Sequence, residues 1–161
     1  MEGSPTENMP TSPDNTQKTI VFSGEFFPLL DEKKRLTIPA RWRTDGLEEI
    51  FIVKSPSRGC LTAMPQAILR AVGEKAAAQG FTVADHQVFK DQFFANAVNC
   101  PIDSQGRMVL SEEHCRFAGI KKQVALVGAD EKFDLWNPEA WGQRKQVTSP
   151  TYEMILKTLG L

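Results

Sequence analysis

The sequence predicts an α+β fold in which one strand-rich unit is used twice. Three observations carry this. First, "LLDEKKRLTIP", starting at Leu29, returns as "PIDSQGRMVLS", starting at Pro101, so that Asp31 and Arg35 recur at one common interval as Asp103 and Arg107. Apolar positions keep the same interval, Leu30 with Ile102, Leu36 with Met108, Ile38 with Leu110 and, upstream, Phe22 with Phe94. Second, residues 48–68 lie over 121–141 with one residue inserted. Both read as a strand, a Gly-containing turn, a short strand and a Pro that opens a helix. Third, the stretches between and after the copies have helical period and composition instead.

The elements follow in order. Residues 1–18 are rich in Ser, Thr, Pro and Asn and read as a disordered tail. "TIVFSGEFF" is β-rich, "RLTIP" alternates toward Ile38, and "IFIV" has the composition of a buried strand. "ARWRTDG" and "EEHCRFAG" are short helices, each close to a Gly that can end it. Pro65 and Pro138 suit the first turn of a helix, where a missing N–H costs nothing. "PQAILRAVGEKAAAQG" and "VADHQVFKDQFFANA" are helical, and "PTYEMILKTLG" is a short amphipathic helix. The organisation is therefore a tail at 1–18, a first unit at 22–67, a helical linker at 68–93, a second unit at 94–141, and a C-terminal tail with a short helix at 142–161.

Composition narrows the function classes. The chain of 161 residues has a formal net charge of −1, but its 19 basic residues all lie from Lys18 onward, against 17 acids there, a formal +2. Any nucleic-acid contact must come from a local patch or from repetition of that patch in an oligomer. Such a patch exists: five basic side chains fall between Lys33 and Arg43 with no acid among them. No apolar run approaches the roughly 20 residues that span a bilayer, and the N-terminus has no signal-peptide pattern. Cys60, Cys100 and Cys115 form no Cys-x-x-Cys pair, which fits a reducing cytoplasm and small buried thiols. His86 and His114 stand far apart in the chain without a second ligand beside either, so no metal site is expected. No nucleophile–base set, phosphate loop or dinucleotide fingerprint is present, so neither an enzyme nor a cofactor is expected. Trp136 and Trp141 flank a helix start and read as core or subunit interface.

The duplicated box has its own physics. In "IDSQGR", Asp103 and Gly106 fit positions i and i+3 of a type I turn, and the carboxylate can accept N–H bonds from within that turn. Arg107 then starts a strand, where its fork can pair with Asp103 or reach a phosphate, the two roles not excluding one another. The first copy has Lys34 where the second has Gly106. At a left-handed position this costs of order 1 kcal/mol, so the second turn is expected to be the better formed. Lys33, Lys34, Arg41 and Arg43 are not shared, so the first loop is expected to supply most of the phosphate attraction. Arg41 and Arg43 read equally well as stems packed along apolar surface.

With both copies in view, the chain resembles the MraZ family of bacterial transcriptional regulators over roughly Ile20 to Trp141. The boxes are "DEKKRLTIPARWR" and "DSQGRMVLSEE", and "VGADEKFDLWNPEAW" trails the second. Lys34 departs from the family's usual Gly, and Ile68 stands where the second copy has Trp141. The resemblance implies two SpoVT/AbrB-type swapped-hairpin units joined as a β-barrel pseudo-dimer with short peripheral helices. It implies a ring homo-oligomer, commonly of eight chains. It also implies binding to tandem DNA repeats ahead of the division and cell-wall gene cluster, including the protein's own promoter, in a cytoplasmic, nucleoid-associated setting. By that resemblance Arg35 and Arg107 contact DNA, with Asp31 and Asp103 as the matching acids, and Lys33 and Lys34 add phosphate contacts. The competing reading is a protein-binding scaffold on the same fold, like AbrB-type antitoxins.

Overall fold

The computed structural model describes residues 20–44 and 46–161. The stretch read as a disordered tail lies outside the described residues. The chain runs β1 (Glu25–Phe26), β2 (Arg35–Thr37), a 3₁₀ turn (Ala40–Trp42), β3 (Glu49–Ser55), β4 (Cys60–Met64), α1 (Gln66–Ala77) and α2 (Val83–Asn96). It continues with β5 (Val98–Pro101), β6 (Arg107–Val109), α3 (Glu112–Ala118), β7 (Ala125–Ala129), β8 (Lys132–Trp136) and α4 (Pro138–Thr158). The α+β class is as expected.

Strand pairing crosses between the two sequence copies. Six strands form one antiparallel sheet in the order β1-β7-β8-β4-β3-β5, while β2 and β6 form a separate antiparallel ribbon. Thus β1 of the first copy pairs with β7 of the second, and β5 of the second pairs with β3 of the first. The barrel implied by the resemblance is not closed among the described residues. The edge strand β1 is two residues long and the ribbon pairs only with itself, so no ladder joins β1 to β5.

The centre of the sheet lies on the join between the copies. Thr62 of β4 faces Asp134 of β8, one repeat interval further on, with Leu61 opposite Leu135 and Ala63 opposite Phe133 on either side. Leu61, Ala63, Phe133 and Leu135 point into the main core, where they meet Leu36 and Met108 from the ribbon and Trp42 from the 3₁₀ turn. Trp42 packs tilted against Phe133 and edges onto Phe22, and its indole N–H donates to the Ser23 carbonyl at 3.1 Å. The opposite face is covered in two places. Trp136 and Val127 pack under Trp141 of α4, and Val53 and Met64 pack under Leu69 of α1 and Phe93 of α2.

The alignment of the copies needs two corrections. The second hairpin turns on two residues, between Ala129 and Lys132, and the first on four, between Ser55 and Cys60. Ahead of the hairpin the second copy is two residues longer, because Leu30 N–H reaches the Lys122 carbonyl while Ile102 N–H reaches that of Glu48. A two-residue gain and a two-residue loss replace the single insertion. In addition, Phe22 is a core residue whereas Phe94 lies on α2 and is partly exposed, so this pair is not equivalent.

The C-terminal region also differs from expectation. In place of a short helix beginning at Pro150, α4 runs unbroken from Pro138 through Pro150 to Thr158. Its start is capped by Asn137, whose side-chain oxygen accepts from the N–H groups of Glu139 and Ala140. Just before Pro150, the Thr148 and Ser149 hydroxyls bond back to the Arg144 and Lys145 carbonyls at 2.7 and 2.8 Å. No helix is long and apolar enough to cross a membrane among the described residues.

Candidate nucleic-acid interface

Each box forms the same closed turn. The Asp31 carboxylate accepts from the N–H of Lys33 at 2.8 Å and of Arg35 at 2.9 Å, and its second oxygen takes the Arg35 Nε at 2.6 Å. The Asp103 carboxylate accepts from the N–H of Gln105 and of Arg107, both at 2.9 Å, and from the Arg107 Nε at 3.0 Å. Backbone bonds from Lys34 to Asp31 and from Gly106 to Asp103 complete the turns. The N–H of Arg35 holds the Asp31 carboxyl below the usual carboxylate range, and that of Arg107 does the same for Asp103. Lys34 takes a left-handed φ of 60°, close to the 79° of Gly106. The two turns are therefore equally formed, contrary to the expectation of a weaker first turn. Lys34 pays for its left-handed backbone with strain of about 1 kcal/mol, not with a different geometry.

The ribbon unites the two arginines. Arg35 is paired with Val109, and Thr37 with Arg107. Period-two alternation sends Leu36 and Met108 into the core, so Arg35, Thr37, Arg107 and Val109 share the outer face. Arg35 and Arg107 are diagonal neighbours there, within reach of the same surface. Each has its Nε on its own Asp, and among the described residues the terminal guanidinium nitrogens donate to no further partner. The turns lie at opposite ends of the ribbon, each tied to the other strand. Ile38 N–H donates to the Gly106 carbonyl and Leu110 N–H to that of Lys34, both at 2.9 Å. A cleft of about 400 Å³ runs beside the arginines, lined also by Asn99, Val109, Ser111 and His114. His114 is buried, its Nδ1 has no partner among the described residues, and burial pushes its pKa down, which keeps the ring neutral at neutral pH.

The other sequence-predicted cations separate by role. Lys33 and Lys34 are exposed at the tip of the first turn. Arg41 lies 5.7 Å from the centre of the Phe26 ring and reaches the Ser23 hydroxyl at 3.5 Å. Arg43 donates from Nε to the Ile38 carbonyl at 2.9 Å and packs against Gly106, in the second turn. Contiguity in sequence places Arg43 with the first box; the pairing of β2 with β6 brings it to the second turn. The three cysteines are buried, and burial pushes the Cys60 and Cys100 thiols up to about 11. One polar cluster escaped sequence reasoning. Arg58 holds the buried Asp134 with two nitrogens at 2.7 and 3.2 Å, and Thr62 donates to the same carboxylate at 2.9 Å. Only the repeat interval, which separates Thr62 from Asp134 as it separates the boxes, hints at it.

Comparison with known proteins bears on the same residues. The family model described as "MraZ protein, putative antitoxin-like" matches residues 93–150, which include the second box and the start of α4. Relatives named Transcriptional regulator MraZ match most of the chain, three of them as follows. That of Heliobacterium modesticaldum is 33% identical over 139 residues, 86% of this chain and 96% of its own. That of Symbiobacterium thermophilum is 34% identical over 137 residues, 85% and 99% of the two chains. That of Carboxydothermus hydrogenoformans is 34% identical over 139 residues, 86% and 96%. With similarity of this extent running through both boxes and the strands that pair across the two copies, the chain belongs to the MraZ family.

Proposed function

We propose that this protein is a DNA-binding transcriptional regulator that docks the outer face of the β2–β6 ribbon, with its two flanking turns, against duplex DNA. The observation that carries this reading is the diagonal pair Arg35 and Arg107, brought from separate copies to one exposed face with their guanidinium ends unused. A two-stranded ribbon fits the major groove, where an arginine fork can take the O6 and N7 acceptors of guanine and apolar side chains such as Val109 can meet a thymine methyl. Asp31 and Asp103 do not touch the nucleic acid in this scheme but aim the forks. Lys33 and Lys34 neutralise phosphates. The names of the relatives agree with this role.

The finer scheme follows the family resemblance. Each half is a swapped-hairpin unit of the SpoVT/AbrB type, a reading that the crossed strand pairings support. Chains assemble into a ring, with eight the favoured number, and present many modest arms to tandem repeats ahead of the division and cell-wall genes and of the protein's own gene. Effective concentration then turns weak single contacts into useful affinity, which suits a chain of near-zero net charge. Such a protein acts at the nucleoid and needs no cofactor or catalytic step.

The test is a gel shift on the DNA upstream of the protein's own gene, over a range of salt. Affinity should fall steeply with salt. Arg35→Ala and Arg107→Ala should each weaken binding while native mass stays constant. Normal binding by the double variant would remove the ribbon from consideration. A second reading, a protein-binding scaffold, draws on the exposed Val147, Tyr152, Met154 and Ile155 of α4. Stoichiometric co-purification of a partner, with no DNA retardation at low salt, would favour it.

A further inference from the structure

We propose that Arg43, although it closes the first box in sequence, serves the second turn, as the residue that positions it and as the cation it otherwise lacks. This rests on the DNA-binding reading for its second half only. The second turn has Gln105 and Gly106 where the first has Lys33 and Lys34, so it has no cation of its own between Asp103 and Arg107. Arg43 fills that gap by geometry. Its Nε bonds the carbonyl of Ile38, whose N–H in turn bonds the Gly106 carbonyl, so that Arg43 and the second turn grip the same residue from its two sides. The guanidinium covers the α-carbon of Gly106 so closely that a β-carbon there would fall on it. Arg43 also lines a groove of about 500 Å³ together with Asp103, Ser104 and Glu48. Asp103 is already engaged by Arg107, which leaves Glu48 as the remaining acid in that lining.

The first turn shows the complementary solution. The interval that relates Lys34 to Gly106 relates Arg43 to Cys115. At the first turn the long side chain is that of Lys34 itself, and the position equivalent to Arg43 holds the small, buried Cys115. Gly106, without a side chain, goes with the large Arg43. The two positions therefore hold one small and one long cationic residue, in opposite order, and each turn ends with a cation beyond its own arginine. The phosphate attraction expected of the first loop is in this arrangement divided between the two.

The inference separates into two measurements on the full-length protein. The first is unfolding by urea of Gly106→Lys, Arg43→Cys and the double variant, which gives the second turn the pair found at the first. Gly106→Lys should lower the midpoint clearly, and adding Arg43→Cys should recover at least half of that loss. A double variant no more stable than Gly106→Lys would overturn the positioning role, and this outcome does not depend on DNA. The second compares Arg43→Met with Arg43→Lys on the promoter fragment. Loss of one phosphate contact should lower the salt slope by about 1 per bound chain and weaken binding about eightfold near 0.1 M salt. Arg43→Lys should keep the slope while showing a lower unfolding midpoint, since its charge stays and the bond to Ile38 goes. If Arg35→Ala lowers the slope and Arg43→Met does not, the cation role fails and the DNA reading stands. If the unmodified protein does not shift the fragment at all, the function reading fails and takes the cation role with it, while the unfolding cycle still decides the positioning role.

Discussion

Asp134→Ala should destabilise the protein by about 3–4 kcal/mol. The carboxylate is buried between the two copies, where it takes two nitrogens of Arg58 and the hydroxyl of Thr62. Removing one member of a buried pair typically costs about 3–5 kcal/mol. Arg58 keeps 31% of its side chain exposed, so it can recover part of its hydration, and the lower end of that range applies. The Thr62 hydroxyl loses its acceptor, which adds about 1 kcal/mol. For a chain of this size each kcal/mol moves the melting temperature by roughly 2–4 °C, so the expected fall is roughly 6–16 °C. Circular dichroism during heating, at fixed protein concentration because any association contributes stability of its own, reads the effect. Asp134→Asn keeps the shape and the Thr62 contact, and should fall between Asp134→Ala and the unmodified protein. A loss under about 1 kcal/mol, or separate transitions for the two halves, would refute the view that this cluster joins the copies into one cooperative body.

Three more outcomes follow from the same structure. Gly128→Ala should cost about 2 kcal/mol or more by equilibrium unfolding, because the added carbon would lie 2.6 Å from the Phe22 carbonyl carbon, and backbone cannot swing aside. The Asp31 and Asp103 carboxyls titrate below their ordinary range, so what they give the turns is complete above that range and is lost only as pH falls through the lowered values. The amide signals of Lys33 and Gln105 should hold steady down to pH 5 and move at more acid pH; movement centred on the ordinary carboxylate pKa would refute the bonding described. Cys60 and Cys100, with thiols at about 11, are ionised to roughly one part in a thousand at pH 8. A thiol reagent should therefore modify them at the rate of unfolding, and fast modification of the native protein would contradict their burial.

Much of the fold was legible because the box is local. A turn held by its own Asp, with an Arg four residues on, is written in adjacent letters, and duplication makes the pattern stand out. What escaped the sequence depends on partners far apart. The two-residue gain ahead of β7 and the two-residue loss in its turn nearly cancel, so a linear comparison sees one small insertion. Phe22 and Phe94 match in spacing but not in place, since α2 runs on to Asn96 and carries Phe94 with it. Pro150 suggests a helix start because proline is at home in a first turn, yet a helix already capped by Asn137 passes through it. Arg43 goes with the first box on sequence alone, because only the pairing of β2 with β6 brings it onto Gly106. The chemistry of the arginine face was legible as composition, but only the pairing of β2 with β6 makes it one surface.

Carrying both copies on one chain has a consequence for orientation. A homodimer must accept every substitution twice, so its two halves stay alike and its surface reads the same after half a turn. Here the second turn has Gly106 under Arg43, while the equivalent positions at the first hold Lys34 and Cys115, a difference that a symmetric pair of chains could not hold. The ribbon therefore has a front and a back. Turned end for end, it would present lysines where it now presents a guanidinium, so whatever it docks on is met in one direction. Chains laid side by side on a row of identical sites would all point the same way.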